Sequence, residues 1–140
     1  MILFCDTSAL VKLYIVEVGS EELKARLPEV EAVAVCRIAW AEAFAALSRR
    51  ARETPEDAIV IEQAKAALAA DWTHFVVLDI DQNLVERAGE YADTFALRAY
   101  DSIQLAAAFE MGRISRSQIL FACHDMRLNK AAKLLGLLCL

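Results

Sequence analysis

The sequence predicts an α/β domain: a mostly parallel sheet of four to five strands, flanked by helices. Three observations predict it. Short, continuously apolar runs such as MILFC (1–5) and ILFACH (119–124) are the signature of strands buried on both faces. These runs alternate with longer segments of helical character, and strand–helix alternation leads to a parallel sheet with right-handed crossovers. With Gly 4 and Pro 2 in the whole chain, little is left for long loops.

Each element has its own local cause. MILFC is the first strand, and a helix follows over about residues 8–15, capped by Asp6 or Thr7. Gly19-Ser20 opens SEELKARL, with Glu21 and Glu22 in the first turn, where the helix dipole favours acids. EAVAVC (31–36) alternates and is valine-rich, a strand, and a long helix runs over 37–53. Thr54 caps and Pro55 opens the next helix, which reaches about Asp71. HFVVLDI (74–80) is the third strand, and Asp81 caps a helix to about Tyr91. A helix over 98–111 is expected to stop at Gly112. QILFACH gives the fourth strand, MRLNKAAKLLG the last helix, and LLCL an optional fifth strand.

A length of 140 residues suits one domain, residues 1–140, large enough to bury a core without staples. The 58% hydrophobic content suggests an oligomer or an obligate partner, and 25% charged residues argue against disorder. No apolar stretch approaches the roughly 18 residues of a membrane span. MILFCDTSALVK lacks the basic lead of a signal peptide, so a cytoplasmic protein is expected. Cys5, Cys36, Cys123 and Cys139 form no C-x-x-C pair and are expected to be reduced, strand-borne thiols. The net charge of −5 argues against broad nonspecific binding of nucleic acid.

Four acids stand in apolar surroundings: Asp6 after the first strand, Glu42 in IAWAEAFAAL, Asp101 in AYDSIQLAAA and Asp125 after the fourth strand. Buried carboxylates need partners or a cation. Each has a plainer explanation. Asp6 and Asp125 can cap helices, Asp101 can pair with Arg98, and Glu42 can pair with Arg37 or Arg49. Glu42 fits its explanation worst, because Ile38, Ala45 and Ala46 surround it on a helix. In open α/β sheets ligands bind at the carboxyl ends of the strands, so the four are expected to converge there. Two carboxylates ~5 Å apart repel by about 3 kcal/mol at an effective dielectric near 20. All-oxygen ligation suits Mg²⁺ or Mn²⁺. Thr7 and Ser8 lack a placed histidine and are expected to support Asp6 through their hydroxyls.

DTSALVKLY, RIAWAEAFAAL, LRAYDSIQLAAA and FACHDMRLNKAAKLLGL together resemble a PIN-domain ribonuclease, more narrowly a VapC-type toxin of a toxin–antitoxin pair. The resemblance places Asp6, Glu42, Asp101 and Asp125 on the family's four acidic positions and Ser8 on the residue supporting the first acid. It departs at Cys123, where the family commonly carries a hydroxyl. It implies a PIN-like fold, a homodimer, a small antitoxin partner and metal-dependent endonucleolytic cleavage of single-stranded or loop RNA to a 5′-phosphate and a 3′-hydroxyl. Asp6, Glu42 and Asp101 would hold Mg²⁺ or Mn²⁺, and Asp125 would assist. Lys12, Arg98 and Arg127 are candidate phosphate contacts. Two rivals stand beside this: a PIN-like module that only binds protein, and a phosphatase with Asp6 as nucleophile. The latter usually has a second aspartate where Ser8 stands.

Overall fold

The computed structural model describes residues 1–140. Five strands form one sheet in the order β3-β2-β1-β4-β5. They are β1 (Ile2–Cys5), β2 (Ala32–Cys36), β3 (Val76–Leu78), β4 (Ile119–Ala122) and β5 (Leu138–Cys139). Every pairing is parallel. The optional fifth strand is therefore present, and the sheet is wholly parallel.

Seven α-helices cover it: α1 (Thr7–Lys12), α2 (Ser20–Arg26), α3 (Ala39–Glu53), α4 (Ala58–Asp71), α5 (Gln82–Phe95), α6 (Ala99–Ser115) and α7 (Met126–Leu134). Side chains alternate along β1, so its residues feed two cores. Ile2 and Phe4 join residues of α5, α6 and α7, with Phe4 against Phe121 at 6.0 Å between ring centroids. Leu3 and Cys5 join residues of α1, α2, α3 and α4 on the other face. All four residues of β1 and of β4 are buried, which explains their unbroken apolar character.

Four expectations are corrected. Pro55 opens a short 3-10 turn, Pro55–Asp57, with no side-chain cap from Thr54, and α4 begins only at Ala58. The helix expected to end near Tyr91 runs to Phe95. The helix beginning near Arg98 does not stop at Gly112 but continues to Ser115, where Arg116 adopts the left-handed conformation at φ 56°. Gly112 serves packing instead: a Cβ there would lie 3.0 Å from Ile119 Cγ1. The first helix is also shorter than expected, ending at Lys12 rather than near residue 15.

The chain runs outward from β1 through β2 to β3, then returns to the other side of β1 for β4. The strand order therefore reverses between β1 and β4, where open α/β sheets form their ligand crevices. No helix is long and apolar enough to cross a membrane. The four cysteines are free; Cys123 falls just beyond β4 rather than inside it.

Candidate active site

A cleft of about 720 Å³ opens at this reversal, and Asp6, Glu42, Asp101 and Asp125 all line it. Asp6 extends the β1–β4 ladder, its backbone N–H donating to the Ala122 carbonyl at 3.1 Å. It also caps α1: Oδ1 accepts from the Ala9 N–H at 2.8 Å and the Ser8 hydroxyl at 2.7 Å. Asp125 caps α7 through the Leu128 N–H at 2.8 Å. Glu42, from the first turn of α3, accepts on Oε1 from the Thr7 hydroxyl at 2.8 Å and from Gln104 Nε2 at 3.0 Å. Asp101, in the first turn of α6, accepts on Oδ2 from Arg98 Nε at 3.1 Å.

One oxygen of each carboxylate is thus anchored, while Asp6 Oδ2, Glu42 Oε2, Asp101 Oδ1 and Asp125 Oδ2 take no hydrogen bond from the protein. Asp6 is only 6% exposed. Burial pushes its carboxyl up to about 6, against the pull of the Ala9 and Ser8 hydrogen bonds, and the negative charges of Asp101 and Glu42 raise it further. Asp6, Glu42 and Asp101 therefore share one electrostatic environment. They do not form a finished cage, however: no three His, Cys, Asp or Glu side chains close into a cation-holding group. Asp101 is held by Arg98 at 3.1 Å.

The plain and the functional explanations of Asp6 and Asp125 turn out to be compatible, since capping occupies a single oxygen. The Arg98–Asp101 pair also forms. Glu42 does not pair with either arginine considered for it: Arg37 binds Asp79 and Arg49 faces Glu53. The expectation for Thr7 is corrected, because its hydroxyl supports Glu42 while only Ser8 supports Asp6. Cys123 gives its thiol to Asn129 Oδ1 at 3.2 Å, and burial pushes that thiol up to about 12. The thiol also lies 3.7 Å from the Asp125 main-chain carbonyl, while the Asp125 carboxylate is steadied by the backbone of α7.

Lys12 and Arg98 line the cleft, but Arg127 does not; its guanidinium donates to the Ala96 carbonyl at 3.1 Å. Gln104 is the residue sequence reasoning missed. It is 3% exposed, and Nε2 reaches from α6 to both Glu42 and Thr7 Oγ1 (3.2 Å), while Oε1 is buried without a partner. A lone amide in the small apolar run SIQLAAA was the available signal. Trp40 stacks on Phe44 of the same helix at 4.8 Å and meets Trp72 edge-on at 5.1 Å, so it packs α3 against the turn that follows α4.

The PIN domain family matches residues 3–134. The chain belongs to the PIN-domain family. Among characterised members, this PIN domain is 30% identical over 139 residues to Ribonuclease VapC45 of Mycobacterium tuberculosis, covering 96% of this chain and 92% of the relative. Its backbone is similar to the crystal structure of VapC20 from the same organism, described as a sarcin-ricin loop cleaving toxin. That match has a TM-score of 0.67 and 20% identity, covering 92% of this chain and 94% of VapC20. It is also similar to a chain of a toxin–antitoxin complex from Klebsiella pneumoniae, with TM-score 0.63, 20% identity, and 92% and 90% coverage. These likenesses agree with the all-parallel fold of this PIN domain.

Proposed function

We propose that this PIN domain is a divalent-metal-dependent endoribonuclease of VapC type, the toxin of a toxin–antitoxin pair. The observation that carries the proposal is the set of four carboxylates on one cleft, each anchored through one oxygen and open at the other. Near-full-length identity to a VapC ribonuclease supports RNA as the substrate.

The donor set fits a hard cation: it is all oxygen, and the free oxygens of Asp6, Glu42 and Asp101 are the ones to hold Mg²⁺ or Mn²⁺, with Asp125 assisting. When bound, the cation supplies activation of water and charge stabilisation at a phosphodiester. The chain's own contribution is placement. Ser8 and the α1 N-terminus hold Asp6, Thr7 and Gln104 hold Glu42, and the α7 N-terminus holds Asp125. Arg98 beside Asp101 is available to a phosphate once a cation competes for the carboxylate. Ser8 donates to Asp6 and adds no second carboxylate, which leaves the phosphatase alternative without its acid.

A small antitoxin is the proposed partner, and single-stranded or loop RNA the proposed substrate. Exposed apolar side chains, among them Val16, Val18, Ile59 and Met126, offer surface for the antitoxin and for a second protomer.

The direct test compares Glu42→Gln and Asp101→Asn with the parent in RNA cleavage under Mg²⁺ or Mn²⁺. Each should lose more than the roughly 10- to 100-fold that outer-shell changes cost. Parent-level cleavage by both, in folded protein, would remove the proposed ligation. Divalent ions should also raise the melting temperature, since a ligand at about 100 times its Kd stabilises the folded state by about 2.7 kcal/mol. No shift in a titration reaching millimolar ion would count against the cation site.

A further inference from the structure

Beyond the acids, the cleft is lined by four cations, Lys12, Arg49, Arg50 and Arg98. None of them is free. Arg98 is on Asp101 at 3.1 Å, and Arg49 faces Glu53 at 3.9 Å. Lys12 and Arg50 share a single carboxylate: Glu17 Oε1 lies 3.3 Å from Lys12 Nζ, and Oε2 lies 3.2 Å from an Arg50 guanidinium nitrogen. Arg50 has a second, looser neighbour in Asp57 at 3.9 Å.

Glu17 is placed with care. The segment between α1 and α2 is pinned by Ser20, a 2% exposed hydroxyl that accepts from the Glu17 N–H at 3.0 Å and donates to the Ile15 carbonyl at 3.0 Å. Its carboxylate consequently bridges α1 and α3 at the cleft wall, one oxygen to each cation. A phosphodiester carries the same single charge and also presents two oxygens, its non-bridging pair, to a lysine and an arginine.

We propose that Lys12 and Arg50 form a seat for an RNA phosphate, and that the Glu17 carboxylate fills this seat until RNA displaces it. The inference rests on the ribonuclease reading above and adds to it a specific contact and a built-in competitor. Because one carboxylate bridges two cations, a single side-chain displacement frees Lys12 and leaves Arg50 only its looser Asp57 neighbour. Arg49 and Arg98 each release only themselves. The seat lies on the same cleft as Asp6 and Asp125, so a strand whose phosphate rests there passes the four acids. The acidic character of the chain then has a use: it keeps affinity for RNA low until the phosphate is correctly seated.

The test measures binding of a short, mixed-sequence single-stranded RNA in EDTA, by fluorescence anisotropy over a salt series. Glu17→Gln should bind about three- to tenfold more tightly than the parent at low salt. Its affinity should also fall more steeply with salt, by about one phosphate contact. Lys12→Ala and Arg50→Ala should weaken binding and flatten the salt dependence, and the gain from Glu17→Gln should vanish when either is combined with it. Glu17→Ala provides a second variant, and melting temperatures verify folding. Unchanged or weaker binding by folded Glu17→Gln and Glu17→Ala would overturn the proposal by making Glu17 a structural bridge for its two cations; so would loss of folding in both. A parent that cleaves no RNA under any divalent ion removes the ribonuclease reading itself. A cleaving parent with no gain on losing Glu17 removes only the seat.

Discussion

Asp6→Asn should stabilise the cation-free protein at neutral pH while ending RNA cleavage. Asp6 is buried, and its carboxyl is raised from 3.8 to about 6 in the folded chain. The folded state therefore binds this proton more tightly than the unfolded state. Below about pH 4 both states hold it and the carboxyl costs nothing. As the pH rises from about 4 to 6 the unfolded chain releases the proton first, and stability falls across that window. Above it the loss is constant, on the order of 3 kcal/mol for a gap of about two pH units. Asparagine removes the charge but keeps an oxygen able to accept from Ala9 and Ser8, so the α1 cap survives. Urea unfolding of both proteins in EDTA at several pH values measures this. The variant should gain most above about pH 6 and little below about pH 4. An advantage of the parent that grows with pH would contradict the buried-charge account. A cleaving Asp6→Asn variant would contradict the ligand role.

Gln104→Leu should leave stability nearly untouched and still impair the enzyme. Its Nε2 donates to a carboxylate, a bond worth about 1.5–3 kcal/mol, while its buried Oε1 lacks a donor and costs about 1–3 kcal/mol. Leucine removes both, so the net change in stability is expected to stay within about 1 kcal/mol. Function has no such compensation. Glu42 keeps Thr7 but loses the contact that ties α3 to α6. Outer-shell losses of this kind cost roughly 10- to 100-fold in metal affinity or activity. The divalent-ion shift in melting temperature should weaken together with cleavage. Gln104→Glu should be worse, because it sets a like charge against Glu42. Parent-like metal response and cleavage in Gln104→Leu would show that Thr7 alone positions Glu42.

Much of this was legible in the residues. The buried strands announced themselves because β1 and β4 are covered on both faces and carry only apolar side chains. The four acids were conspicuous because charge in an apolar setting demands a reason. Their convergence followed from the rule that ligands bind at strand carboxyl ends, but the strand order behind it did not: it depends on β4 lying next to β1, a property of tertiary packing. Gln104 escaped attention because an uncharged amide in a run of small residues makes a weaker signal than Glu42. The Glu17 bridge needs α1 and α3 side by side, which no local pattern shows. The end of α6 was misread because glycine serves both as a helix stop and as a gap for a neighbour, and Gly112 is the second kind.

The cleft joins stretches of chain that are made well apart in time. Asp6 is synthesised before Ala122, to which its backbone bonds, and before Asp125. A nascent chain that already carries Asp6 and Glu42 therefore lacks the other two acids until α6 and the residues after β4 have followed. Synthesis itself thus delays completion of the cleft.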